Sequence, residues 1–185
     1  HCFATAEHGN IFDFVMKTQN LRFGEAVKHL ANLAGMQPYI FSKQDEEREK
    51  KWEIYSSIFS QYVDFYHEEL LKNETYSFVR EYLKDRSINK DQVKKFKIGY
   101  VQKSPNFFDK LKNNFNIEDI LETGLFYLDE KKKIYIERFR SRLIFPINNI
   151  SGKPIALGGR IIEKSDFLAK YINSPETSFF KKGSN

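Results

Sequence analysis

From Asn10 to about Glu122 the apolar positions recur every three or four residues, and beyond Gly124 they recur every second residue. The first period is that of amphipathic helices, the second that of half-buried strands. Asn10 is placed to cap a helix running through Lys17, with Asp13 at the third helical position, where a carboxylate meets free backbone amides. A second helix is predicted from Phe23 to Ala34. Its apolar stripe is Phe23, Val27, Leu30 and Ala34, and Gly35 closes it in left-handed geometry. Pro38 and the charged stretch Lys43–Lys51 interrupt the pattern, which places a domain boundary there, the charged stretch already entering the next helix.

Trp52, Tyr55, Ile58, Phe59, Tyr62, Phe65 and Tyr66 then describe one long amphipathic helix, and such an aromatic stripe is expected to be core rather than a base-stacking surface. Further helices are predicted near Thr75–Lys84, after Asn89 (a cap with Gln92 three residues on), around Phe107, Phe108 and Leu111, and over Asn116–Glu122. Short strands are predicted at Leu125–Leu128, Ile134–Ile136, Leu143–Ile147 and Ile155–Ile162, with turns at Asp129–Lys133 and Asn148–Lys153. Helices followed by a small, mostly antiparallel sheet make the expected fold class α+β.

Composition narrows the function classes. A hydrophobic content of 41% excludes a disordered chain, and no apolar run is long enough to span a membrane. One cysteine excludes a disulfide framework and suits a reducing, cytoplasmic setting. The start at His1 without an initiator Met, and the end at Asn185, read as cuts inside a longer protein. Charge changes the picture only once it is located: residues 131–185 carry 12 Lys/Arg against 4 Asp/Glu, a net of +8, whereas the whole chain carries +5. That excess predicts a polyanionic partner for the last third.

Four segments could carry chemistry. Around Cys2 a structural zinc site would need four N or S donors, and Thr5 stands where the second thiolate of a knuckle belongs; a hydroxyl is a poor zinc ligand, so no stoichiometric zinc is expected. In Arg138–Ile147, an extended strand would put Arg138, Arg140 and Arg142 on one face and Phe139 and Leu143 on the other, either as a phosphate track or as a charged edge that resists aggregation. Gly158-Gly159-Arg160 allows a close backbone approach beside bare amides, or an ordinary bulge. Lys170–Thr177, followed by Lys182, reads as a Pro-punctuated loop whose Lys170, Tyr171 and Asn173 suit phosphate, stacking and base or sugar contacts. No catalytic residue is assigned: there is no phosphate loop, no nucleophilic triad and no compact acidic cluster for magnesium.

Taken in order, these segments resemble the bacterial DnaG-type DNA primases. The matching stretches are His1-Cys2-Phe3 with Glu7–Met16, Tyr82–Ile88, Phe96-Lys97-Ile98-Gly99-Tyr100, Arg138–Ile147, Gly158-Gly159-Arg160 and Lys170–Thr177. The resemblance implies a helical remnant of a zinc-binding domain over 1–38, a linker over 39–48, and over 49–185 the N-terminal subdomain of a primase RNA polymerase domain. It further implies a parent that makes short RNA primers on single-stranded DNA from NTPs. Matched one by one, Arg86, Arg138, Arg140, Arg160, Lys170, Tyr171, Asn173 and Lys182 are the residues that would line the groove for template and incoming nucleotide. Mg2+ or Mn2+ would belong to a toprim fold, and a replicative helicase to a C-terminal domain, both outside these residues. Two further zinc ligands would lie upstream of His1, while Thr5 and the alanines Ala4 and Ala6 depart from the family's knuckle, and Ser87 replaces a glycine after Arg86. A non-catalytic single-strand-binding module of a phage or plasmid replication protein is the alternative, and a scaffold built on the aromatic helix is a third.

Overall fold

The computed structural model describes residues 9–37, 42–149, 151–163 and 168–183. The chain divides into two compact units: residues 1–51 with 148–153, and residues 52–147 with 154–185.

The first unit is helical. In α1 (Ile11–Gln19) the Asn10 side chain accepts from the amides of Phe12 and Asp13, and the Asp13 carboxylate accepts from the Asn10 amide, a reciprocal box that satisfies the free N–H groups of the first turn. α2 (Phe23–Leu33) starts on the Glu25 carboxylate, which accepts the Arg22 amide, and ends with Gly35 at φ +66. The expected apolar stripe is only partly used. Ala26 is the buried residue, while Phe23 keeps 43% of its surface exposed.

The second unit is organised by α3 (Lys43–Lys72), a helix of 30 residues that begins within the charged stretch. From Tyr55 on it buries Tyr55, Ile58, Phe59, Tyr62, Val63, Tyr66 and Leu70, the three- and four-residue spacing of one helical face. The aromatic stripe is core, as expected. Fully enclosed Tyr62 meets Tyr66, Phe107 and Phe126 at 4.8, 5.7 and 5.8 Å, all edge-on, the arrangement that ring quadrupoles favour. Beyond a 3-10 turn (Glu74–Tyr76) come α4 (Ser77–Asp85), α5 (Lys90–Lys95, with Asn89 and Gln92 forming the predicted box), α6 (Phe107–Leu111) and α7 (Ile117–Glu122). Val79 and Leu83 of α4 pack with Val93, Ile98, Tyr100 and Leu143 in a second apolar cluster.

Six strands complete this unit: β1 (Gly99–Val101), β2 (Phe126–Asp129), β3 (Ile134–Glu137), β4 (Arg142–Asn148), β5 (Pro154–Ile161) and β6 (Tyr171–Asn173). They form a four-stranded sheet in the order β1-β4-β5-β6 and a separate hairpin of β2 and β3. The architecture is α+β, as expected. β6 was not foreseen: the start of the predicted Pro-punctuated loop is a strand, antiparallel to β5. At Gly99 a Cβ would lie 3.0 Å from the backbone of Tyr66 and His67, so glycine lets β1 lie directly against α3.

Among the described residues, Glu137 is a carboxylate buried in the core. Glu137 is 3% exposed; its carboxylate accepts the Tyr66 hydroxyl at 2.7 Å and the Phe107 amide at 2.9 Å. Burial raises its pKa above the ordinary carboxylate value, and the hydrogen bonds from Tyr66 and from the Phe107 amide oppose that rise.

Candidate nucleic-acid interface

The β5–β6 ladder pairs Arg160 with Tyr171, Gly159 with Ile172 and Gly158 with Asn173. Cross-strand partners share a face, and side chains alternate along each strand. Arg160, Tyr171 and Asn173 therefore lie on one face of this ribbon, with Gly158 between them as a bare patch of backbone. On the opposite face a Cβ at Gly159 would come within 2.6 Å of the Phe139 ring, and Phe139 is fully buried. The two glycines thus do separate things: Gly159 makes room for a core ring, and Gly158 leaves space beside Asn173, whose Oδ1 would lie 3.6 Å from an added Cβ. Both sit in regular pairing, so the bulge and the bare amides expected from the sequence are not formed.

Arg160 lies over two aromatic rings, with its guanidinium carbon 5.4 Å from the Tyr171 centroid and 5.6 Å from that of Tyr82. Arg86 lies over the same Tyr82 ring at 4.8 Å, and the Lys170 ammonium lies 5.8 Å from the Tyr171 centroid. Each such contact at a partly exposed site contributes on the order of 0.5–1 kcal/mol. Among the described residues no carboxylate forms an ion pair with Arg86 or Arg160. The Arg160 Nε is buried with no hydrogen-bond partner. Three cations and two tyrosines, from the end of α4, from β5 and from the start of β6, thus converge with no ion-paired carboxylate among the described residues. Arg142 stands behind them, 4% exposed, with one guanidinium nitrogen 3.5 Å from the Lys170 carbonyl.

The remaining predicted residues are arranged differently. Arg138–Ser141 is a turn joining β3 to β4, with Ser141 at φ 57, and β4 begins only at Arg142. The expected single strand face bearing Arg138, Arg140 and Arg142 does not exist. Arg140 is exposed at the turn and Arg142 is buried, while Phe139 is drawn into the core under Gly159. Arg138 turns back toward the other hairpin. Its Nε donates to the Gly124 carbonyl at 2.7 Å and its guanidinium carbon lies 5.4 Å from the Tyr127 centroid. Lys182 is exposed, and its backbone amide donates to the Glu176 carboxylate.

Arg138 and Arg160 are nevertheless joined by one short stretch of chain. From Tyr171 the strand runs through Asn173 to buried Ser174. The Ser174 hydroxyl accepts the Leu157 amide at 2.9 Å and its amide donates to the Leu157 carbonyl at 2.9 Å. Pro175 then stacks on Gly124, where a Cβ would lie 2.4 Å from the Pro175 Cγ. Beyond it, Thr177 Oγ1 lies 3.1 Å from the Tyr55 hydroxyl, which donates to the Ile155 carbonyl. Tyr171 to Pro175 spans at most about 14 Å of chain, so the two arginine–tyrosine groups flank one segment. Tyr82, Tyr127 and Glu137 carried no signal in the sequence as site residues. Tyr82 lay within a matching motif, and only its four-residue spacing from Arg86 could have singled it out.

Residues 65–185 match the family described as "DNA primase catalytic core, N-terminal domain". The chain belongs to this family. Residues 1–47 match a second family, the CHC2 zinc finger. Cys2 and Thr5 lie outside the described residues, but residues 1–47 contain a single cysteine, so the thiolate-rich donor set of such a finger is not present in them. A DNA primase of Clostridium acetobutylicum is 37% identical over 187 aligned positions, covering 100% of this chain and 30% of the relative. The chain thus spans about a third of the length of the curated primases it matches. Among solved structures, the Aquifex aeolicus primase (zinc-binding and RNA polymerase domains) superposes with a TM-score of 0.63 at 34% identity, over 96% of this chain and 41% of that one. A DnaG primase catalytic domain bound to single-stranded DNA superposes with a TM-score of 0.61 at 27% identity, over 73% and 41%. No described helix is long and apolar enough to cross a membrane.

Proposed function

We propose that this chain is the part of a bacterial DNA primase that grips single-stranded template and incoming nucleotide while the parent protein synthesises short RNA primers for replication. The observation that carries this reading is the convergence of Arg86, Arg160 and Lys170 on Tyr82 and Tyr171 with no ion-paired carboxylate among the described residues. Guanidiniums held on rings, with donors left open, suit phosphates, and exposed Tyr171 offers a stacking face for a base. Asn173 adds amide donors and acceptors on the same face, Arg138 reaches the strand's far end, and Arg140 and Lys182 supply exposed charge along the path. The DNA-bound relative of the same fold supports this assignment.

In this reading residues 1–38 close a zinc-binding domain, 39–48 link it, and 49–185 form the front of the RNA polymerase domain. The two family matches, over 1–47 and 65–185, support that order. Among the described residues no three His, Cys, Asp or Glu side chains converge on a metal position. The Mg2+ or Mn2+ that drives nucleotidyl transfer belongs to a toprim fold in the parent, and these residues bind and orient only. The parent works in the cytoplasm with a replicative helicase. Given Thr5 in the knuckle, elemental analysis of the purified chain should find well under one zinc per molecule.

Fluorescence anisotropy with a labelled single-stranded oligonucleotide, run across a salt series, tests the reading. Each arginine–phosphate contact contributes on the order of 1–3 kcal/mol, and affinity should fall steeply with salt. Binding that ignores salt, or Arg160→Ala and Arg138→Ala variants that bind like wild type, would remove its basis.

A further inference from the structure

We infer that Tyr82 is the positioning residue of this interface: its ring sets Arg86 and Arg160 side by side, so that the pair receives one strand's phosphates as a unit. The inference rests on the nucleic-acid reading above and adds to it a residue that bears no charge.

Three observations converge. Tyr82 sits on α4 between buried Val79 and Leu83, and it packs half-buried against the second apolar cluster, so its ring is anchored by the fold. It receives two guanidiniums from separate elements, that of Arg86, the residue that caps the end of α4, and that of Arg160 from β5. With guanidinium carbons 4.8 and 5.6 Å from one centroid, the two charges are at most about 10 Å apart, whichever faces of the ring they use. Two like charges at this range repel across water, weakly at the upper bound and more strongly if closer. The negative face of a tyrosine ring opposes that, because it attracts both cations without consuming their N–H donors.

The buried Arg160 Nε sharpens the point. The donor has no partner among the described residues, and Tyr82 and Tyr171 both lie against the group that carries it. A buried unpaired donor is a cost, and the two rings offset part of it by attracting the cation. The hydroxyl of Tyr82 plays no part in this geometry. Phenylalanine should serve as well as tyrosine, and an aliphatic residue should not.

The experiment uses the whole chain and a labelled single-stranded oligonucleotide. Tyr82→Phe should bind within about twofold of wild type, and Tyr82→Leu should bind roughly five- to tenfold more weakly, with the salt slope reduced by about one phosphate contact. Because Tyr82→Leu also touches the apolar cluster, a second measurement separates positioning from folding. In a double-mutant cycle, Arg160→Ala should cost much less in the Tyr82→Leu background than in wild type. Additive losses, or a Tyr82→Leu variant that binds like wild type while Arg160→Ala does not, would overturn the positioning role and leave the interface standing. If neither Arg160→Ala nor Arg86→Ala weakens binding, the interface reading itself fails.

Discussion

Two arginines of this chain each lie over a tyrosine, yet their hydrogen-bonding states are opposite. Arg138, over Tyr127, has its Nε donated to the Gly124 carbonyl at 2.7 Å. Arg160, over Tyr82 and Tyr171, has the same atom buried and unpaired. The first is aimed by the protein itself and has only its terminal nitrogens to offer. The second lies against two aromatic faces, and its Nε is enclosed without a partner among the described residues. A shared residue type and a shared aromatic partner therefore do not imply a shared role: Arg138 is tied to the backbone, and Arg160 is tied only to rings.

The strongest way to break this contrast is to strain the backbone whose carbonyl fixes Arg138. Gly124 has φ +69 and stands where a Cβ would strike Pro175, so Gly124→Ala should lower stability by about 2–4 kcal/mol, read by urea unfolding. Gly159→Ala is the matching test on the other side. It has no positive φ, but the Phe139 ring and the Arg142 side chain stand in its way, and about 1–3 kcal/mol is expected. Equal losses at the two sites would mean that backbone conformation contributes nothing at Gly124.

At the level of binding, Arg160→Ala should weaken single-strand affinity roughly ten- to a hundredfold, and Arg138→Ala less, roughly three- to tenfold. Equal losses in anisotropy titrations would erase the distinction. Glu137, next to Arg138 in sequence, gives a test in pH. Its pKa is raised in the fold, so the stability tied to its protonated form is complete below the ordinary carboxylate pKa and is lost as pH rises through the raised value. Glu137→Gln keeps an acceptor for the Phe107 amide and removes the buried charge. Its stability relative to wild type should improve as pH is raised from about 4 toward 7, and a constant difference across that range would show that the charge is not what matters. The smallest effect is expected at Ser87, which holds φ 59 just after Arg86; Ser87→Gly should raise stability by up to about 1 kcal/mol in urea unfolding.

The sequence was most legible where structure is decided locally. The Asn10–Asp13 and Asn89–Gln92 boxes, the left-handed stops at Gly35 and Gly124 and the long aromatic face of α3 all depend on residues within a few positions of one another. It was least legible where a distant element overrode local alternation. Arg138-Phe139-Arg140-Ser141-Arg142 has the two-residue period of a strand, but Phe139 is claimed by the space that Gly159 opens and Ser141 turns left-handed, so the period is broken at its centre. β6 escaped notice because three residues before a Ser-Pro pair carry almost no periodic signal, and only pairing with β5 makes them a strand. The basic residues of the site were visible as charge. The tyrosine that gathers two of them was hidden as one more aromatic on a helix.

Ser174 gives the strand its last consequence. A side chain and a backbone amide both tied to Leu157, with Pro175 locked on Gly124 immediately after, leave the Tyr171–Asn173 ledge almost no conformational freedom to lose. The ordering entropy of that ledge is then settled during folding and not at each encounter. If the proposed interface holds, such a pre-organised surface would engage a strand without refolding at each contact.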